Sequence, residues 1–283
     1  MATVEFSEEQ SMLLETAADF CRTHSPIDAV RKQIEQEHST TPELWQAMAE
    51  LGWLGVTIPE QYGGLGMNLA DVVPIVESMG RHLMGSPFVA TTLAAQALIA
   101  GGSEQQKNQW LGEIAAGAPA SVALTEEDGN WRLQEIAATA TANGDALTLT
   151  GTKCFVLDAL QAKVVVASVM LDGAARLVLI QAEQIPSGAL TREVVIDETR
   201  RSYTLQLDGI SVPQSQLLDG ADFAVLEQAA MLLLVAEMSG GLAGVLHVII
   251  DYLTTRKQFD EYIGSYQSLK HPSVQILLSL EAC

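Results

Sequence analysis

Between residues 5 and 118 the apolar positions recur at helical spacing. In SEEQSMLLETAADFCRTH they fall at Met12, Leu13, Ala17 and Phe20. Ser7 is a good N-cap, and the acids after it suit the positive end of a helix. Pro26 ends that run. TPELWQAMAELGWLG predicts a second helix, with Pro42 in its first turn and Gly52 as its stop. VTIPEQYGGLGMN is rich in Gly and Pro and reads as a loop. LADVVPIVESMGRHL and PFVATTLAAQALIAGG read as further helices. SEQQKNQWLGEIAAG reads as a short one, capped by Ser103 with Gln106 at the capping-box position.

From residue 119 to 220 the period changes. ALTLTGTKCFVLDA, KVVVASVM and ARLVLIQ are short β-branched and apolar runs, separated by Asn143-Gly144, Gly151 and Asp172-Gly173. They predict an antiparallel β barrel or sandwich with six or more strands. YTLQLDGISVPQSQLL closes it. After residue 220 the pattern returns to helix. Residues 221–257 are apolar nearly all round, which places them inside a bundle. Gly240 and Gly241 in the middle each cost about 1 kcal/mol relative to Ala, so another backbone is expected to approach there. SYQSLKHPSVQILLSLE begins a second helix, in which Pro272 is tolerable only near the first turn. This hairpin cannot satisfy its own apolar surface and needs partners. The chain is thus an α+β multidomain protein: an N-terminal α-helical domain (1–118), a central antiparallel β-barrel domain (119–220) and a partial C-terminal helical bundle (221–283).

Composition narrows the function. The 283 residues suit two or three domains, and 48% are hydrophobic. The net charge of −20 repels nucleic acid and anionic membrane, so neither is an expected partner. Cys21, Cys154 and Cys283 are far apart and form no CxxC, which argues against a disulfide framework or zinc site and for a reducing cytoplasm. MATVEFSEEQ has no apolar core and is not read as a signal peptide. Asp222, Glu227, Glu237 and His247 break the most apolar region, so no uncharged run reaches the ~18 residues of a membrane helix.

The motifs FSEEQ, LGWLGVTIPEQYGGLGMNLAD, VESMGR, GSEQQKNQWLGEIAAG, SVALTE, GTKCFVLDA, LDGISVP and TRKQFDEYIGSYQSLKH follow one another in the order of the acyl-CoA dehydrogenases, which the chain resembles essentially from end to end. The resemblance implies a helical domain, a β barrel and a four-helix bundle that joins subunits. It also implies FAD as cofactor and an acyl-CoA thioester as substrate. That reaction needs a desolvated carboxylate for the α proton and a flavin for the β hydride. By resemblance, Leu124 and Thr125 bond the flavin through backbone and hydroxyl, and Phe155 and Leu157 flank its ring. Arg256, Gln258, Phe259 and Gln267 supply a neighbouring subunit's flavin with its diphosphate and adenosine contacts. Arg suits that role because its planar fork bonds two oxygens at once.

Four departures from the family pattern shape the expectation. EDGNW, residues 127–131, replaces the usual turn after LTE and brings in Glu127 and Asp128. Asp260 stands where the family has a glycine. KHPSVQ replaces a more charged pattern. The usual catalytic glutamate belongs to a loop beyond Cys283, and the alternative position in the long helix falls at Ala230 or Met231, neither of which can accept a proton. Glu227 is the nearest substitute. The chain alone is therefore expected to be inactive, either as a C-terminally short dehydrogenase or as the non-catalytic subunit of a hetero-oligomer for steroid or other bulky acyl-CoAs. A flavin-free scaffold is the remaining alternative. The sequence names no electron acceptor.

Overall fold

The computed structural model describes residues 7–220 and 222–282. Phe6 of the FSEEQ motif, Ala221 and Cys283 lie outside the described residues. In chain order the helices are α1 (Glu8–His24), α2 (Ile27–Ile34), α3 (Pro42–Glu50), α4 (Val73–Arg81), α5 (Phe88–Gly101), α6 (Glu104–Ala115), α7 (Phe223–Thr255) and α8 (Gln267–Leu280). The strands are β1 (Ala120–Ala123), β2 (Thr139–Asn143), β3 (Ala146–Thr150), β4 (Thr152–Leu157), β5 (Val164–Leu171), β6 (Ala174–Gln181), β7 (Leu190–Arg192), β8 (Ser202–Gln206), β9 (Ser211–Pro213), β10 (Lys257–Gln258) and β11 (Glu261–Tyr262). The helices begin where local chemistry puts them. Ser7 with Gln10, and Ser103 with Gln106, form reciprocal capping boxes, and Thr41 caps α3 with Pro42 behind it. Gly52, at φ 74°, stops the chain after α3.

The chain divides into two compact units. One comprises residues 31–72 and 85–230. Its larger sheet runs β1-β5-β2-β3-β9, with β6 on the other side of β5, and its smaller sheet runs β4-β8-β7. Most pairings are antiparallel, as the sequence predicts, but β5 lies parallel to both β1 and β2. The two sheets share one core that includes Leu147, Leu149, Val156, Val165, Leu205 and Val212. A second core packs helices on the larger sheet. Val164 and Val166 face Leu98, Trp110, Leu111 and Ile114 there, while Val165, Ala167 and Val169 face the first core. The apolar run of β5, interrupted only by Ser168, follows from this, since both of its faces are buried. Asp172 and Gly173, at φ 50° and 77°, make the β5–β6 turn, with the positive φ pair of a type I′ hairpin.

The other unit gathers residues 1–30, 73–84 and 231–283. Here α4 and α7 cross with their backbones in contact. A Cβ on Gly240 would overlap the Glu77 carbonyl, one on Gly80 the Glu237 carbonyl, and one on Gly244 the Arg81 carbonyl. The expected close approach is real at Gly240. At Gly241 it is not, because a Cβ there would meet the Gly80 carbonyl at an ordinary 3.7 Å. These neighbours should therefore respond oppositely. Gly240→Ala is expected to destabilise the chain by about 3 kcal/mol through backbone displacement. Gly241→Ala is expected to stabilise it by up to about 1 kcal/mol through helix propensity. Denaturant unfolding of both variants checks this, and equal effects would sink it.

Helix α7 is long and apolar enough, by length and composition, to cross a membrane. Glu227, Glu237 and His247 interrupt its apolar sequence without ending the helix. In α8, Pro272 is the sixth residue rather than a first-turn one, so its missing N–H deprives the Ser268 carbonyl of its i+4 donor.

Candidate functional site

Where β1 ends, the chain turns along β4. Thr125 bridges Cys154 antiparallel: the Cys154 N–H donates to the Thr125 carbonyl at 3.0 Å, and the Thr125 hydroxyl donates to the Cys154 carbonyl at 2.6 Å. On the other edge of β4 the register against β8 slips between Lys153 and Val156. The bulge holds Phe155 at φ 56°, a conformation costly for a bulky residue, with the residue 54% exposed. Glu193 props the bulge. Its carboxylate accepts the Phe155 N–H at 3.2 Å, the Ser202 hydroxyl at 2.6 Å and the Thr204 hydroxyl at 2.8 Å. Leu157 is half-buried, and its carbonyl accepts the Ser121 hydroxyl of β1 at 2.6 Å. The joint of β1 and β4 thus brings Leu124, Thr125, Phe155 and Leu157 together. The patch offers an exposed aromatic face, an apolar wall and a threonine oxygen. Because the Thr125 hydrogen is committed to Cys154, that oxygen serves an incoming group as acceptor.

Behind the patch lies a buried ion pair that pattern reading missed. The Lys153 ammonium, fully buried, sits 2.6 Å from Glu126 Oε1. Glu126 also accepts the N–H groups of Ala137 at 2.8 Å and Ala138 at 3.0 Å. Burial pushes the Glu126 carboxyl up, but Lys153 and these two amides together hold it below its ordinary value. Burial pulls the Lys153 ammonium below its ordinary value, with Glu126 opposing. Glu126, Glu127 and Asp128 line a hollow of about 270 Å³ with Ala137, Ala138, Gly151 and Thr152. The two added acids stand at its wall, and the described residues that line it include no cation.

A second buried carboxylate follows Leu157. Asp158, at φ 53°, accepts the Ser39 hydroxyl at 2.5 Å. Next to it the buried Arg201 guanidinium donates to the carbonyls of Gln33, Gln36 and Glu198, tying residues 33–40 to the sheet. Burial pushes the Asp158 carboxyl from 3.8 up to about 6, against the Ser39 hydroxyl and the fields of Arg200, Arg201 and His38. A raised folded-state value means that the folded chain holds this proton more tightly than the unfolded chain. The resulting stability is full below about pH 3.8 and is lost as pH rises through 6. Asp158→Asn removes the effect. Between pH 4 and pH 8 the wild type is expected to lose about 2–3 kcal/mol relative to the variant. Parallel pH curves in denaturant unfolding would refute this.

In the other unit, β10 and β11 form a two-residue hairpin just beyond α7. Phe259 and Asp260 occupy its turn at φ 57° and 65°, again the positive pair of a type I′ turn. Asp tolerates this region, so the missing family glycine is accommodated at Asp260. The strain falls on Phe259, which is 89% exposed. Arg256 lies 5.9 Å from the Tyr252 ring centroid, and Lys257 lies 4.5 Å from that of Tyr262. The Tyr266 hydroxyl donates to the Gln258 carbonyl at 3.0 Å and the Ile263 N–H to the Arg256 carbonyl at 2.9 Å, so the hairpin is held against the start of α8. Arg256, Gln258, Phe259 and Gln267 are all exposed, and Gln267 opens α8, whose N-terminus carries no side-chain cap. Glu227 is exposed on α7, while Ala230 is half-buried and Met231 is 60% exposed.

The sequence of residues 7–118 matches the family model described as the acyl-CoA dehydrogenase N-terminal domain. Over 97% of its length the chain is 28% identical to the acyl-CoA dehydrogenase FadE12 of Mycobacterium tuberculosis, spanning 74% of that protein. Residues 7–118 thus carry the acyl-CoA dehydrogenase N-terminal domain, and the chain as a whole is similar to acyl-CoA dehydrogenases. Among solved acyl-CoA dehydrogenase-type structures, the Tcur3481-Tcur3483 steroid ACAD superposes with a TM-score of 0.88 at 27% identity, covering 97% of this chain and 74% of that one. A glutaryl-CoA dehydrogenase from Mycobacterium smegmatis, solved in complex with FADH2, shares the fold. Its TM-score is 0.85 at 23% identity, over 97% of this chain and 73% of that one. As the family resemblance implied, a helical N-terminal region, a curled sheet and C-terminal helices follow in order. The groups absent from the sequence reading are Glu126, Lys153, Ser168, Glu193 and the Asp158–Ser39 pair. Of these, Glu126, Lys153 and Asp158 lay inside motifs that the family order picked out, without a role being assigned to them.

Proposed function

We propose that this chain is an FAD-binding subunit of an acyl-CoA dehydrogenase-type oxidoreductase, working on an acyl-CoA thioester inside an oligomer. The observation that carries this reading is the hairpin after α7. Four residues suited to hold a dinucleotide are exposed together there, beside a helix whose outer face leaves Met231, Met238, Val248 and Tyr252 exposed. Exposed apolar surface of this extent marks an association face. Arg256 would clamp the diphosphate, Gln258 and Gln267 would bond its polar groups, and Phe259 would cover the adenosine. In the other half of the site Phe155 and Leu157 would flank the ring, and Leu124 and Thr125 would meet its edge. When bound, FAD accepts the hydride from the β carbon. The residues present fit this cofactor, since they provide an exposed aromatic face, an acceptor and an exposed guanidinium fork.

The subunit pairs best with an unlike chain. Glu127 and Asp128, at the wall of the hollow beside Thr125, oppose a phosphate-bearing ligand, so a complete substrate site is better supplied by a partner subunit. The likeness to a steroid ACAD with a two-part name supports this and points to a bulky acyl group. The domains assigned are 1–118, 119–220 and 221–283, and the compartment is the cytoplasm. The test is the visible absorbance spectrum of the purified chain, alone and with its neighbouring-gene product. Flavin bands that appear or strengthen only with the partner chain present support the hetero-oligomer. Flavin bands from this chain alone support a homo-oligomer, and a colourless assembly would make it a flavin-free scaffold.

A further inference from the structure

We propose that the buried Glu126–Lys153 pair is a positioning element for the flavin edge. It would set the backbone of Leu124 and Thr125 and close the loop 127–136 against them. The inference rests on the flavin reading above.

Burial of this pair is not explained by stability. Lys is almost never fully buried, and an ion pair removed from water gains little over an apolar pair of the same size. Its connections are more informative. Glu126 directly follows Thr125. Its two oxygens take the N–H groups of Ala137 and Ala138, so one carboxylate pins both ends of the loop between them. The Lys153 ammonium donates to the Ser168 hydroxyl at 2.9 Å, and that hydroxyl donates to the Leu124 carbonyl at 3.4 Å. The circuit therefore runs from β4 through β5 to Leu124, then along the chain to Glu126 and back to Lys153. Thr125 is held from the other side by Cys154. Among the described residues, the Leu124–Thr125 backbone is held by this circuit and by the Thr125–Cys154 bridge, beside the pairing of β1 with β5. Within the loop, Asn130 and Arg132 bond Glu135, so the loop is tied together internally and joined to the sheet through Glu126.

A purely structural pair and a positioning pair differ in what happens when both charges are removed. In Glu126→Gln or Lys153→Met alone, one buried charge loses its partner, and the unfolding midpoint should fall. In the double variant no buried charge remains, so the midpoint should return towards wild type. The amide that Glu126→Gln introduces has one acceptor oxygen where the carboxylate has two, so at least one pin on the loop stays broken. Hydrogen exchange of the cofactor-free chain should then show residues 127–138 exchanging faster in the double variant, with β5 and β6 unchanged. With FAD, in the natural assembly, the double variant should bind ~10–100-fold more weakly, the effect of losing a charge-assisted buried hydrogen bond. Its visible flavin band should also shift. A double variant with wild-type loop exchange, FAD affinity and flavin band overturns the positioning role while leaving the flavin reading standing. A wild-type assembly that takes up no FAD overturns both.

Discussion

Incubated with FAD, an artificial electron acceptor and acyl-CoAs from short to steroid-like, this chain on its own is expected to give no measurable turnover. Removing the α proton needs a carboxylate held out of water against the flavin. Ala230 and Met231 occupy the α7 positions where some family members place it, by the resemblance, and neither side chain takes a proton. Glu227 lies three residues before Ala230, close to the same face, but it is exposed in the chain. General base catalysis is worth ~10²–10⁴-fold, and an unaligned flavin would add to the deficit. Turnover that disappears in Glu227→Gln would put the base on α7 after all. Turnover that survives that substitution would place it elsewhere in these 283 residues.

Arg256→Ala is expected to weaken FAD binding by about 100-fold in the assembled protein, because a guanidinium bonding a diphosphate contributes two charge-assisted hydrogen bonds. Arg256→Lys should recover part of that loss, since an ammonium supplies the charge without the planar fork. The substituted residue is exposed and lies beyond the end of α7, so the fold itself should be untouched. Fluorescence titration with FAD reads the affinity, and far-ultraviolet circular dichroism checks the fold. If Arg256→Ala binds as the wild type does, the hairpin is not part of the cofactor site.

What could be read from the sequence was local. Ser7 with Gln10 and Ser103 with Gln106 announce their helices because cap and partner are three residues apart. The strand β5 was legible as an apolar run, but its service to two cores was not, since that depends on where α5 and α6 return. Lys153 looks like a residue on the wet face of a strand. Its partner Glu126 lies 27 residues away, and only the curl of the sheets brings them together. Ser39 and Asp158 are 119 residues apart, beyond any periodicity argument. Asp260 counted against the family pattern as a residue type, yet the backbone accommodates it, because Asp is among the few residues that enter a left-handed turn at modest cost.

The glycine crossing of α4 and α7 also governs the order in which the protein can be made. Gly80 leaves the ribosome about 160 residues before Gly240, its counterpart in the crossing. At ~5–20 residues per second, α4 waits roughly 8–30 s for the helix it crosses. During that interval residues 85–230 emerge and join residues 31–72, so that this unit can fold. The sheet domain can therefore be complete while α4, paired with α1, still lacks the backbone contact that α7 supplies at Gly80.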